Sequence, residues 1–168
     1  MVLLGEDASQ ALAELVRVAR DREPAAEADA EGFVLDPGDG GAPHYAHRNE
    51  RLGIDFTVHR LPFPGLQVFD PRVVRIAPGA CNERHRHAHE SLFLVLEGEG
   101  ELVLGARSLA LSRGALAFVP RWLMHQTRNV GASPLVVLAL TDFGFTSAVL
   151  GDYDARTRLK HHGPDSAA

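Results

Sequence analysis

The chain has 168 residues, 45% hydrophobic and 23% charged, which is typical of one globular domain with a core of its own. A formal net charge of −5 without any dense run of Lys and Arg argues against nucleic acid as a partner. We find no signal-peptide pattern and no apolar stretch near the ~20 residues of a membrane span, so we expect a cytoplasmic protein without membrane attachment. Cys81 is the single cysteine, so no internal disulfide can form.

The amino-terminal quarter of the sequence predicts a helix followed by a linker. Apolar residues recur at the helical period between Ser9, which can cap the start, and Arg22, and Pro24 ends this pattern. The following stretch, residues 25–43, is rich in Ala, Asp, Glu, Gly and Pro and indicates a linker or a loosely ordered arm. We therefore predict a helix and linker over residues 1–43, a barrel over 44–145 and a polar tail over 146–168.

From about Leu52 onward the sequence has the pattern of short strands. The apolar or alternating segments, separated by turns that often contain glycine, are residues 54–58, 72–77, 91–96, 101–104, 108–111, 115–119 and 135–141. Many short strands with no helices between them predict an antiparallel sandwich or barrel, so we expect an all-β domain.

Two histidine-containing segments within this region indicate a metal site. His85 and His87 are two residues apart, so their side chains point the same way if the segment is a strand, and His125 comes from a segment far along the chain. A barrel can bring these three imidazoles to one point. Neutral imidazole is a good ligand for iron, zinc, nickel and copper. Three protein ligands leave positions open for water, substrate or dioxygen, as in a catalytic metal site.

The two histidine segments resemble the two sequence motifs of the cupin superfamily, over roughly residues 73–142. The positions that match the glycine, histidine, proline and asparagine spacing of those motifs are Gly79, His85, His87, Gly98, Gly114, Pro120, His125 and Asn129. The resemblance implies a double-stranded β-helix, or jelly roll, that holds one divalent transition metal near its centre. Fe(II) is the expected ion, with Zn, Ni, Mn or Cu as alternatives.

Two positions depart from the family pattern. Ser91 stands where the first motif has its glutamate, and Glu90 lies one place early, so that strand parity directs Glu90 outward unless the strand bulges. Either Glu90 is a fourth ligand through such a bulge, or the site has three histidines, as in the thiol dioxygenases and certain ring-cleaving and β-diketone dioxygenases; we favour the second. Trp122 replaces the glycine of the second motif, and we expect it to cover one side of the metal or to form a pocket wall.

Strand parity divides the residues around the first motif between two faces of the barrel. If the histidines of the motif point inward, the residues that share their face, and that we expect to line the pocket or support the ligands, are His89, Ser91 and Phe93. The leucines on the opposite face are Leu92, Leu94 and Leu96. Together with the apolar run 135–140 these leucines need cover from the amino-terminal helix or a second subunit, and we therefore expect a homodimer.

The function implied by the resemblance is a mononuclear non-haem Fe(II) dioxygenase that acts on a small polar or anionic metabolite. Two other classes stay open: a non-enzymatic cupin that binds a metabolite as a sensor, and a metal-dependent isomerase, lyase or decarboxylase. A metal that is bound but only structural is a further alternative. Catalytic residues beyond the metal ligands are not assigned by the sequence.

Overall fold

The computed structural model describes residues 6–21, 34–36, 43–150 and 158–160. The helices of this part of the chain are α1 (Glu6–Asp21) and α2 (Phe143–Leu150). Its strands are β1 (Tyr45–Asn49), β2 (Ile54–Arg60), β3 (Asp70–Ile76), β4 (His85–His87), β5 (Ser91–Glu97), β6 (Glu99–Leu104), β7 (Arg107–Ser112), β8 (Leu116–Val119), β9 (His125–Asn129), β10 (Leu135–Thr141) and β11 (Arg158–Lys160).

The strands form two sheets that enclose the core. One sheet has six strands in the order β1-β2-β3-β10-β5-β8, and the other has five in the order β11-β4-β9-β6-β7. The main buried cluster takes Phe56, Ile76 and Val95 from the first sheet and Leu102 and Leu111 from the second. The prediction of an all-β jelly roll with an amino-terminal helix is therefore confirmed, and each predicted strand segment overlaps an observed strand.

Three strands between residues 44 and 145 lack an apolar alternation: β4 and β9 were expected from their histidines alone, and β1 was not predicted. β4, β9 and β1 are short and rich in His, Arg, Gln and Asn, so burial of apolar side chains does not mark them. The inward side chains of these strands that line the cavity are Tyr45, His85, His87 and His125. Such strands are visible only through the partners that they pair with, β2 for β1 and β6 for β9.

The inside-and-outside alternation around the first motif agrees with strand parity. The inward-facing residues are all buried: His85, His87, His89, Ser91, Phe93 and Val95. On the opposite face Leu92 is 38% exposed, while Leu94 and Leu96 are half-buried. Gly98 closes the motif at the turn between β5 and β6, where its φ of +77° and a Cβ position only 2.5 Å from the Pro134 carbonyl oxygen exclude any other residue.

The ends of the chain differ from the expected helix, linker and tail. α1 begins three residues before Ser9 and ends at Asp21, and it packs against α2, which was not predicted. α2 is rich in apolar residues and runs from Phe143 to Leu150. It therefore crosses the boundary between barrel and tail that was predicted after residue 145. Within the predicted polar tail, β11 pairs with β4. Most of the predicted linker lies outside the described residues. Neither described helix has the length and apolarity of a membrane span.

Candidate metal centre

The pairing of two short strands brings the three predicted ligands together. His85 on β4 is the direct register partner of His125 on β9, and His87 lies two residues further on the same face of β4. One ring nitrogen from each residue lies within 4.8 Å of the other two. The side chains are 8%, 3% and 1% exposed for His85, His87 and His125. The sequence therefore predicted a cluster of residues that the fold does bring together.

Backbone carbonyls orient all three imidazoles in the same manner. The Nδ1 atoms of His85, His87 and His125 lie 2.7, 2.9 and 2.9 Å from the carbonyl oxygens of Glu83, His89 and Leu123. Because a carbonyl oxygen only accepts, each Nδ1 must donate its proton. A neutral ring then keeps its lone pair on Nε2, the atom left to bind a metal, and the bond to the carbonyl holds the ring in place.

The donor set of the cluster fits a divalent transition metal. Nitrogens grouped within 4.8 Å need only a small convergence of the rings to bind one ion at the roughly 2.0–2.1 Å typical of histidine ligands. Calcium and magnesium prefer oxygen ligands, and within the described residues this cluster contains histidine alone. His85, His87 and His125 are thus able to hold a transition metal with positions left for other molecules.

Glu90 lies on the outer side of the barrel, away from the histidine cluster. Its side chain is half exposed, and its carboxylate lies 3.7 Å from Arg121 Nη2. Its backbone N–H donates to Asp142 Oδ1 at 2.7 Å, which fixes the chain directly before β5. Ser91, at the motif position of the glutamate, is 2% exposed and lines the cavity. That Glu90 is not a metal ligand agrees with this placement and stays a prediction.

Two of the remaining predicted pocket residues contact the cluster directly. The His89 ring stacks on His87, with ring centroids 3.5 Å apart and an interplanar angle of 11°. The centroid of the Phe93 ring lies 6.5 Å from that of the His125 ring. Both side chains line the same cavity as the three histidines. The inward parity of the first motif therefore carries through the turn at residues 88–90 into β5.

Trp122 does not take the place expected for it. Its side chain is 43% exposed and is not among the described residues that line the cavity. Trp122 adopts a left-handed φ of +59°, a region that favours glycine, and its N–H donates to the His87 carbonyl oxygen at 2.8 Å. The turn at Trp122 thus has a backbone that suits the glycine of the motif.

The cavity beside the histidines has a volume of about 360 Å³. Besides the residues already discussed, the described lining residues are His44, Tyr45, Phe56, Val58, Arg60, Arg72, Val74, Asn82, Ala139, Thr141 and Phe143. Arg60 and Arg72 were missed in the sequence, although a usable signal existed. Parity along β2 makes Phe56, Val58 and Arg60 share one face, so a charged residue stands at an inward position.

A buried carboxylate supports the first histidine from behind. Glu83 Oε1 accepts hydrogen bonds from the Tyr45 hydroxyl at 2.9 Å and from His47 Nδ1 at 2.7 Å, and the Glu83 side chain is 8% exposed. The backbone oxygen of the same residue accepts the Nδ1 proton of His85. Glu83 therefore ties β1 to the segment that positions His85, a contact between residues far apart in the sequence that no local motif reveals.

Comparisons with known proteins agree on the fold. A search of curated proteins finds no match. A cupin-2 domain protein from Rhodospirillum rubrum is 23% identical, with a TM-score of 0.53 over 58% of this chain and 67% of that one. A cupin 2 conserved barrel domain protein from Rhodopseudomonas palustris is 24% identical, with a TM-score of 0.52 over 58% and 68%. A double-stranded β-helix protein from Klebsiella pneumoniae is 18% identical, with a TM-score of 0.53 over 66% and 90%.

This chain spans only 52% to 67% of the length of five similar structures, one of which is the R. rubrum protein. At these levels of identity the structural likeness establishes the fold alone. The sequence evidence is independent of it, because the family model described as a cupin domain matches residues 72–141, the segment that carries both histidine motifs. The two sheets have the jelly-roll fold found in cupins, and residues 72–141, which include the central histidine cluster, match the cupin domain in sequence.

Proposed function

We propose that this protein is a mononuclear non-haem metal enzyme that uses Fe(II), and that it is a dioxygenase of a small polar or anionic metabolite. The observation that carries the proposal is the cluster of His85, His87 and His125, whose Nδ1 atoms all bond to backbone carbonyls and leave three Nε2 atoms for one ion. A ferrous ion held there would supply the redox chemistry by which dioxygen reacts with an organic substrate.

The uncharged donor set supports an anionic substrate. Three neutral imidazoles leave the whole charge of a divalent ion in place, whereas a carboxylate ligand would cancel part of it. Ser91 occupies the motif position of that carboxylate, and its hydroxyl is too short to reach as a glutamate does. The space beside the histidines is therefore open to the donor atoms of a substrate.

The size and walls of the cavity support a small substrate in dry surroundings. A volume of about 360 Å³ lies near the lower end of the roughly 300–1,000 Å³ typical of ligand pockets. Val58, Val74, Phe93 and Ala139 give the cavity an apolar wall opposite the histidines. Such a wall limits the water near the site, which protects reactive species formed during an oxidation.

Oxygen uptake by reconstituted protein tests the proposal. Protein purified without a histidine tag would be stripped of metal, reloaded anaerobically with Fe(II) and mixed with a panel of small carboxylates, phenols and thiols while dissolved oxygen is recorded. We expect substrate-dependent oxygen uptake with Fe(II), and none with Zn(II) or in a His125→Ala variant. The Zn(II)-loaded protein is the matched control, because it keeps the ligand geometry and lacks the redox chemistry.

The other outcomes of this experiment identify the competing classes. Conversion of a panel compound without oxygen uptake would indicate an isomerase, lyase or decarboxylase. Saturable binding without any conversion would indicate a sensor or storage protein. Either result would overturn the dioxygenase proposal and leave the metal site intact.

A further inference from the structure

The end of the cavity formed by β2 and β3 carries two arginines in direct register. Arg60 on β2 pairs with Arg72 on β3, Arg72 pairs with Ala139 on β10, and Ala139 pairs with Phe93 on β5. These four inward residues form one row across the six-stranded sheet. Adjacent strands lie about 4.8 Å apart, so Arg72 is about 10 Å from Phe93 within the sheet. The row therefore runs from the arginines to Phe93, whose ring centroid lies 6.5 Å from that of His125.

The two arginines share one carboxylate partner. The Asp70 carboxylate accepts from Arg60 Nε and Nη2 at 3.1 and 3.2 Å, and from Arg72 Nε at 2.7 Å and Arg72 Nη2. One buried carboxylate thus faces two guanidinium groups. Among the described residues that line the cavity none is acidic, whereas Arg60 and Arg72 both line it.

An aromatic ring connects the arginines to the histidines. The Arg72 and Arg60 guanidinium carbons lie 5.1 and 5.8 Å from the centroid of the Phe143 ring, within the range of a cation–π contact. Phe143 also contacts His89, with ring centroids 5.9 Å apart, and the His89 ring stacks on that of His87. Phe143 and His89 therefore form a continuous wall from the positive end of the cavity to the metal centre.

The row next to the arginines is apolar. Val58, Val74, Val137 and Val95 pair in sequence across the same four strands, directly beside the row that holds Arg60 and Arg72. Val58 and Val74 line the cavity. A ligand that spans from the arginines to the histidines would therefore lie against methyl groups and the Phe93 ring along its length. An extended, fully polar molecule does not match these surroundings.

We propose that Arg60 and Arg72, referred to here as the arginine pair, bind the carboxylate of the substrate. The substrate class is a small organic acid with a carboxylate at the arginine pair, an apolar body along Val58 and Val74, and donor atoms that reach the histidine cluster. Only the last of these three features rests on the proposed metal function. A guanidinium with two parallel N–H groups suits a carboxylate better than a neutral group, since charge-assisted hydrogen bonds are the stronger ones.

Binding of matched acids and amides tests the arginine pair directly. The probes are butyrate, benzoate and 3-phenylpropionate, each beside its neutral amide, titrated by calorimetry into the full-length protein in its Zn(II)-loaded and chelator-treated forms. We expect at least one acid to bind in both forms, about tenfold or more tightly than its amide. In Arg60→Gln the affinity for the acid should decrease by about tenfold or more, while the affinity for the amide stays unchanged. Arg48→Gln is the matched control, since Arg48 is an exposed arginine on β1 that pairs with Glu50.

A second variant gives a result of opposite sign. Asp70→Asn removes the counterion and keeps the shape of the side chain, so it should tighten acid binding several-fold. If the ion pair served only to hold β2 and β3 together, neither substitution at this end of the cavity would separate acid from amide. Retention of acid binding in Arg60→Gln within about twofold, or the absence of saturable binding by every acid tested, would overturn the proposal.

The two metal states separate this inference from the proposed function. Acid binding that disappears with the metal and survives in Arg60→Gln would place the carboxylate on the ion, which overturns the role of the arginine pair and leaves the metal centre standing. Acid binding that depends on Arg60 in a protein that takes up no metal would leave the arginine pair standing and overturn the proposed function.

Discussion

The two sheets hold their functional side chains by different means. In the five-stranded sheet, backbone carbonyls orient the uncharged rings of His85, His87 and His125. In the six-stranded sheet, the Asp70 side chain bonds to both charged groups, those of Arg60 and Arg72. Backbone carbonyls persist whatever the side chains are, whereas an ion pair depends on every partner. The metal centre should therefore tolerate changes around it, and the arginine pair should not.

The largest effect should follow from removing a ligand of the five-stranded sheet. His125→Ala is expected to reduce metal content from about one divalent ion per chain to near zero, because two histidines alone do not complete a site of this type. Elemental analysis after dialysis against a weak chelator measures this. His59→Ala is the matched control, since His59 is on β2 and alternates with the inward residues Val58 and Arg60. Full metal content in His125→Ala would remove the basis of the proposed site.

The outer face of the six-stranded sheet should determine the oligomeric state. Leu92, Leu116 and Phe118 are 38%, 64% and 50% exposed, and Leu92 pairs with Phe118 across β5 and β8. We propose that a second copy of the chain covers this face, because exposed apolar side chains in contact favour association. Light scattering should give a dimer for the wild type and a monomer for Phe118→Asp.

The control for this dimer is an exposed leucine on the other sheet. Leu109 on β7 is 43% exposed, and Leu109→Asp should remain a dimer. A monomeric wild type at micromolar concentration would contradict the proposed interface.

Loss of one arginine from the six-stranded sheet should lower stability by a moderate amount. Arg72→Ala leaves the buried Asp70 with Arg60 alone, and we expect a decrease of about 1–3 kcal/mol in the free energy of unfolding. Arg60→Ala should cost less, since the Arg60 side chain is 43% exposed and that of Arg72 is 15% exposed. Urea denaturation compares the two, with Arg48→Ala expected to stay within about 0.5 kcal/mol of wild type. Equal stability of all three variants would show that the ion pair does not support the fold.

The smallest effect should come from Glu90. Its half-exposed carboxylate lies near Arg121 on the outside of the barrel, so Glu90→Ala should change metal affinity by no more than a few-fold. Removal of a group that supports a metal ligand indirectly would lower metal affinity by about 10–100-fold. Metal titration with a competing chromophoric chelator separates these outcomes. A loss comparable to that of His125→Ala would mean that the strand rearranges when metal binds and that Glu90 completes the site.

The alternation of apolar side chains was sufficient to predict most of the jelly roll. Segments such as 54–58, 91–96 and 135–141 carry the period of two that a half-buried strand requires, and the observed strands follow them. The spacing of His85, His87 and His125 was likewise readable, because a motif of ligands on a strand is local in sequence. Strand parity then placed His89, Ser91 and Phe93 on the inner face, where the structure has them.

The tertiary structure decided the features that depend on distant partners. β1, β4 and β9 have no apolar alternation and exist because neighbouring strands complete their hydrogen bonds. Trp122 is 43% exposed and does not line the cavity, and its φ of +59° lies in the region that favours glycine. The arginine pair is formed by residues 12 positions apart that meet through the register of β2 and β3. Phe143, the first residue of α2, contacts both arginines directly after the end of β10. The spacing of residues along one strand determines which side chains share a face of the sheet. The register between strands determines which residues of neighbouring strands lie side by side.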